Sequence, residues 1–195
     1  MSHYQELTLL QHEEVPMFAL WGKVYVQIHL ALTELQAALG TGKVGVAFPE
    51  YRFDAEAQSG HLGRKLRVFA DDAAVLQQLN LAQHLRRYVD YVQLSAVSAV
   101  PAEHGLACYA RVQVKSGAER ATRRLIKRHP ELNYETELAR LQALSVHSAL
   151  PFIQLNSLSS KQTFRLFIAK TATLTAQTGD FGSYGLSNTA TVPDF

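Results

Sequence analysis

The spacing of apolar residues changes several times along the first hundred positions, and each change predicts an element. Tyr4–Leu10, "YQELTLL", reads as a strand. From about Val15 to Leu39 the apolar residues take a helical period, which Gly40 and Gly42 end. Lys43–Phe48, "KVGVAF", reads as a strand stopped by Pro49, and Lys65–Ala70, "KLRVFA", alternates as a strand does. Asp71 and Asp72 are good caps for a helical stretch over Ala73–Val89, interrupted near Asn80. Tyr91–Ala99, "YVQLSAVSA", is strand-like and stops before Pro101.

The order β-α-β-β-α-β is the ferredoxin-like pattern, and it predicts an N-terminal domain over residues 1–100. That fold alone establishes no function. "AVPAEHGL" reads as a link into a second, smaller α+β domain over residues 101–195. There "ACYARVQV" predicts a strand and about 117–129 a basic helix broken by Pro130. "NYETELARLQAL" predicts a second helix, with leucines at 138, 141 and 144. "PFIQLNS" and "TFRLFIA" predict two strands joined through "LSSKQ". The glycine-rich tail from Thr178 to Phe195 reads as turns. The fold class expected is α+β.

Composition narrows the picture. The chain has 195 residues, 47% of them hydrophobic and 18% charged, enough for an ordinary core and too few charges for wholesale disorder. A single cysteine, Cys108, allows no intrachain disulfide and fits a reducing cytosol. The first fifteen residues lack the basic-then-apolar pattern of a signal peptide, and no apolar stretch is long enough to span a bilayer. A cytoplasmic protein without a membrane partner is expected.

Charge adds a sharper signal. The net charge is only +2, yet residues 1–100 carry eight Lys/Arg against ten Asp/Glu, and residues 101–195 carry eleven against seven. Seven of the 19 basic residues fall between Arg111 and Arg128, with Glu119 the one acid among them. Ser116 and Glu119 form the S-x-x-E signature of a capping box. Behind it, Arg120, Arg123, Arg124, Lys127 and Arg128 sit at i, i+3, i+4, i+7 and i+8, filling an arc of roughly 140°. Ala118, Leu125 and Ile126 lie on the other side and can pack down. A solvated helix usually mixes signs and gains i,i+4 pairs. Five like charges on one face fit an anionic partner, with nucleic acid ahead of phospholipid or a merely solvated face. The apolar face is too weak for a helix that inserts into a membrane surface.

Other candidate chemistry is sparse. No His/Cys/Asp/Glu cluster has metal-ligand spacing, and no phosphate-binding loop of the GxxxxGK[ST] type is present, so neither a metal nor a cofactor is expected. Taken alone, His29 is one of eight histidines, set in an amphipathic helix, Ser157 is a strand-end serine and Tyr184 an ordinary half-buried tyrosine.

Several segments nevertheless combine into one family pattern. "HYQELTLL", "IHLAL", "VGVAFPE", "RVQVKS", "LPFIQLNSLSSKQTFRLFI", "SYGLSN" and a terminal P-x-F together resemble the CRISPR-associated endoribonuclease of type I-F systems, which matures CRISPR RNA. The resemblance spans nearly the whole chain. It implies binding of a stem-loop in the CRISPR repeat RNA and cutting at the 3′ base of the stem. The protein would stay on the product, with the other subunits of the type I-F surveillance complex as partners. It also implies transesterification, in which the RNA's own 2′-hydroxyl attacks the adjacent phosphate and leaves 2′,3′-cyclic phosphate and 5′-hydroxyl ends.

The same resemblance assigns residues. His29 matches the family's catalytic histidine, and imidazole suits general-base work near neutrality. Ser157 matches an active-site serine that orients the nucleotide at the cut, and Tyr184 a tyrosine beside the histidine. Arg111 and Gln113 match residues that read bases at the foot of the stem, where arginine suits a guanine edge and glutamine an adenine edge. Lys115, Arg120, Arg123, Arg124, Lys127 and Arg128 follow as RNA contacts, and Ser159 and Phe164 match positions near the cut end. Departures from the pattern are Asn156 for a basic residue, Leu158 for a polar one and Lys127 for an arginine, which keeps charge but loses bidentate geometry. A non-cleaving subunit that only binds the hairpin is the alternative to an enzyme. A general basic RNA-binding protein has no need of "FRLFI" and "YGLS".

Overall fold

The structure, a computed structural model of the chain, describes residues 1–113, 118–143, 149–157 and 162–195. The chain divides into two compact units: Met1–Val112 together with Leu150–Phe195, and Gln113–Ala149. The α+β class expected from the sequence is borne out.

In the larger unit, strand β1 (His3–Leu9) leads into helix α1 (Met17–Leu39), then β2 (Gly45–Ala47), a short hairpin of β3 (Arg52–Asp54) and β4 (Ser59–His61), and β5 (Lys65–Ala70). Helices α2 (Ala73–Leu79) and α3 (Leu81–His84), a 3₁₀ turn at Arg86–Tyr88, β6 (Val92–Leu94) and β7 (Ser98–Ala99) complete the first half. The order across the first sheet is β2-β5-β1-β6, with β7 also on β1 and every pairing antiparallel. A second antiparallel sheet has the order β11-β8-β10-β9, from β8 (Gly105–Val112), β9 (Phe152–Asn156), β10 (Thr163–Thr173) and β11 (Val192–Asp194).

Differences from the sequence reading have local causes. Helix α1 starts at Met17, because Pro16 is extended at ψ 140° and stands as its N-cap residue. The helical stretch after Asp72 breaks at Asn80, as expected, where φ is +45°, and it ends as a 3₁₀ turn before reaching Val89. Asp72 does cap it, accepting from the Ala74 amide at 2.9 Å. The β3–β4 hairpin was missed because its segments of three residues each are too short to show a period. The tail expected as turns carries β11, in which the pairing of Val192 with Ala107 is fixed by a distant strand.

Helix α1 positions the candidate site. Its buried residues, Leu20, Trp21, Val24, Tyr25, Ile28, Ala31, Leu32 and Leu35, form one apolar stripe. The stripe meets both the first sheet's core, around Leu7, Leu9, Leu66 and Val68, and strand β9 of the second. The helix comes so close to β9 at Gly22 that a Cβ there would stand 2.5 Å from the Gln154 carbonyl oxygen. His29 borders this stripe and is half-buried.

In the smaller unit, helices α4 (Ala118–Arg128) and α5 (Tyr134–Ala143) pack on each other. Half-buried Ala118, Leu125 and Ile126 occupy the inner side of α4, as its spacing predicts. Thr122 completes that stripe: it is buried, and its hydroxyl is satisfied by donating to the Ala118 carbonyl at 2.7 Å.

Candidate active site

Three distant segments of the larger unit enclose a cavity of about 240 Å³, lined by Val26 and His29 of α1, Leu155, Asn156, Ser157 and Phe164 of the β9–β10 hairpin, and Tyr184. Each segment aims its side chain for a local reason. Along β9 the period of two turns Ile153 and Leu155 into the core, and Ser157 follows in the same alternation. The pairing of Leu155 with Phe164 and of Asn156 with Thr163 sets the hairpin's register, and the Ser157 amide extends it by donating to the Gln162 carbonyl at 2.9 Å. Asn156 is held by a 2.8 Å bond from the Thr163 hydroxyl.

Tyr184 sits in a turn that glycines make possible. Gly185 has φ +67°, and a Cβ on it would stand 2.3 Å from Val46 Cγ2. The turn is closed by the Gly185 amide on the Gly182 carbonyl at 2.7 Å and tied to β2 by the Val46 amide on the Gly185 carbonyl at 2.8 Å. Against it lies His29, whose ring stacks on that of Tyr184 with centroids 4.3 Å apart and planes 16° from parallel. His29 Nδ1 is 2.8 Å from the Ser183 carbonyl oxygen. A carbonyl can only accept, so Nδ1 carries the proton, and in the neutral ring Nε2 keeps its lone pair. One face of the imidazole and one nitrogen are thus committed, and among the described residues no partner bonds the other nitrogen.

Beneath this stack is a buried tyrosine that patterning did not single out. Tyr25, one helical turn before His29, donates its hydroxyl to the Tyr184 carbonyl at 2.9 Å. Burial, reinforced by the neighbouring Tyr184, pushes the Tyr25 phenol far above the ordinary tyrosine range, so it remains a donor. In the sequence it reads as one more core aromatic; its spacing of four from His29 is the only signal.

Arg111 belongs to the same neighbourhood. Arg111 is an exposed residue of β8, and its guanidinium lies 5.5 Å from the Tyr184 ring centroid and 5.9 Å from that of Phe164, each contact stabilising by about 0.5–1 kcal/mol at an exposed site. The structure therefore gathers His29, Ser157, Tyr184, Phe164 and Arg111 around one place.

The remaining described candidates fall in the smaller unit. Gln113, Arg120, Arg123, Arg124, Lys127 and Arg128 belong to the smaller unit and are all exposed. Arg123 pairs with Glu119 at 3.7 Å, both side chains well exposed, so the ridge has one acid at its edge. Lys115, Ser159 and Leu158 lie outside the described residues, as does Ser116 of the expected capping box. Among the described residues no group of three or more His, Cys, Asp or Glu is placed to hold a metal ion, and no helix is long and apolar enough to cross a membrane.

Residues 4–195 match the family model of the CRISPR-associated protein Cas_Csy4. The chain belongs to that family. It is 34% identical over 200 residues to the CRISPR-associated endonuclease Cas6/Csy4 of Escherichia coli (strain UTI89 / UPEC), all of both chains being covered. Its identity to the protein of the same name from Pseudomonas aeruginosa (strain UCBPP-PA14) is 35% over 199 residues, again with full coverage. The family resemblance read from the motifs is borne out, and with it the expectation of an endoribonuclease rather than a general basic binding protein.

Proposed function

We propose that the protein cuts CRISPR repeat RNA without a metal ion, at the 3′ base of a stem-loop, with His29 as the general base. The observation that carries this reading is the committed geometry of His29: one nitrogen bonded to the Ser183 carbonyl, one face stacked on Tyr184, and the ring opening on a cavity that Ser157 and Phe164 also line. In the proposed reaction, His29 Nε2 takes the proton of the ribose 2′-hydroxyl. The 2′-oxygen attacks the adjacent phosphorus, the bond from phosphorus to the 5′-oxygen breaks, and that oxygen takes a proton from solvent water to leave as a 5′-hydroxyl. Ser157 orients the nucleotide so that nucleophile and leaving group align. Tyr184 holds the imidazole, and Phe164 supplies an apolar face for the terminal base.

Affinity in this reading comes from α4. Arg120, Arg123, Arg124, Lys127 and Arg128, with Lys115, contact phosphates of the stem, while Arg111 and Gln113 read bases at its foot. A short stem ending in a loop opens the A-form major groove, which is otherwise too narrow for side chains. The strand order β2-β5-β1-β6, with α1 and α2 crossing over, supports a ferredoxin-like arrangement for residues 1–100, and residues 101–195 would form the RNA-binding part. Retention of the product within the type I-F surveillance complex, in the cytoplasm, completes the proposal.

The test is incubation with end-labelled repeat hairpin in EDTA. The expected products carry a 2′,3′-cyclic phosphate and a 5′-hydroxyl. Loss of cutting in EDTA while the hairpin stays folded and bound overturns the metal-free mechanism. Tight binding without any product means a hairpin-holding subunit.

A further inference from the structure

Two side chains one turn apart on α1 grip two successive carbonyls of the same loop. His29 Nδ1 donates to Ser183, and the Tyr25 hydroxyl donates to Tyr184 at 2.9 Å. The Tyr25 ring is wholly buried. It lies between Phe48, with centroids 6.1 Å apart and planes at 22°, and Tyr184, at 6.5 Å and 13°. The glycine contacts fix the loop on either side: the Gly182 amide bonds the Leu186 carbonyl at 2.9 Å, and the Gly185 carbonyl accepts from Val46 at 2.8 Å. The Tyr25 bond holds the loop between those anchors.

We infer that Tyr25 is a positioning residue for the cleavage reaction: its hydroxyl fixes the Ser183–Tyr184 segment so that His29 is held with the proton on Nδ1 and the lone pair on Nε2. This rests on His29 being the base. The physical argument concerns the choice between two tautomers. A neutral imidazole carries its proton on whichever nitrogen has the better acceptor, and the hydrogen bond at one nitrogen thereby decides what the other can do. The acceptor here is a backbone carbonyl, whose direction depends on the dihedral angles of the loop. Remove the Tyr25 hydroxyl, and the Tyr184 carbonyl loses its buried donor. The peptide can then turn toward another partner and carry the Ser183 carbonyl out of line with Nδ1. The ring is free to protonate Nε2 instead, and in that form it cannot accept the 2′-hydroxyl proton. The stack on Tyr184 loosens with the same movement.

Tyr25→Phe tests this, since the phenyl ring keeps its slot between Phe48 and Tyr184. Tyr109→Phe is the matched control: Tyr109 is also buried and donates to a backbone carbonyl, that of Phe48, at 3.1 Å. The readouts are the ¹⁵N shifts of the His29 ring in histidine-labelled full-length protein, and single-turnover cutting of the repeat hairpin with its affinity measured alongside. The unmodified protein should show a protonated Nδ1 and an unprotonated Nε2. Tyr25→Phe should populate the Nε2-protonated ring and cut roughly 10–100-fold more slowly at unchanged affinity. Tyr109→Phe should do neither. A His29 ring already protonated at Nε2 in the unmodified protein overturns the inference without any variant, as does a Tyr25→Phe protein with the same tautomer and rate. The base assignment fails separately: His29→Ala would then cut normally, whatever the tautomer in Tyr25→Phe.

Discussion

The cavity at His29 and the basic face of α4 are built on opposite plans. The face presents five exposed cations, each side chain long and free to adjust to its partner. The cavity is about 240 Å³ and holds its imidazole by a stack on one face and a carbonyl on one edge. Charge acts over several ångströms and tolerates imprecision. Proton transfer needs donor and acceptor within about 3 Å. In the proposed function, holding RNA falls to the ridge, where position is forgiving, and cutting one bond falls to the cavity, where single atoms matter.

This contrast predicts where mutations act. The largest effect belongs to the cavity: His29→Ala should slow single-turnover cutting by about 10²–10⁴ while hairpin affinity hardly changes. Comparable losses in rate and affinity would erase the division of labour. Arg111 stands between the two plans, a cation set against the rings of the cavity. Arg111→Ala should narrow discrimination against a hairpin with an altered foot-of-stem pair by about 1–3 kcal/mol, measured as the ratio of the two affinities. Equal losses on both RNAs would assign Arg111 to backbone contact alone.

The α4 variants should do the reverse of His29→Ala. Arg124→Ala or Arg128→Ala should weaken binding and flatten the dependence of log K on log salt by roughly 0.7–0.9 per lost phosphate contact, with cutting of saturated complex unchanged. A constant slope in both variants would remove the ridge from the interface. The smallest effect is expected at the acid on its edge. Glu119→Gln breaks the exposed pair with Arg123, worth about 0.2–1 kcal/mol. It should leave the melting temperature nearly unchanged and tighten RNA binding slightly at low salt; weaker binding would mean that Glu119 orients Arg123 for the RNA.

The same contrast explains how much the sequence discloses. The basic ridge is a local pattern: residues three and four apart on one helix share a face, whatever surrounds them, so Arg120 to Arg128 could be assigned to one surface by counting. The long elements α1, β8, β9 and β10 were legible for the same reason. Elements that owe their form to distant partners were not. β11 is a strand because Val192 meets Ala107, and nothing in "TVPDF" says so. The cavity is of this second kind. Its residues were named through the family motifs, and spacing could not have joined position 29 to positions 157 and 184. The Tyr25 hydroxyl escaped both routes, since a buried tyrosine in an apolar stripe looks like any other core aromatic until its acceptor is seen.

The close approach at Gly22 has a consequence for how this chain can vary. From Gly22 to His29 the helix advances about 10.5 Å, and from Gln154 to Ser157 the strand advances about 10 Å. Helix and strand touch at the first pair of residues and enclose the cavity at the second, so they work as two rulers laid from a common zero. Substitutions along either ruler leave its graduations in place. One residue added between 22 and 29 rotates the imidazole by about 100° around the helix, and one added between 154 and 157 turns the serine to the other face of the sheet. The number of residues in each span is thus a stricter requirement than the identity of most residues within it.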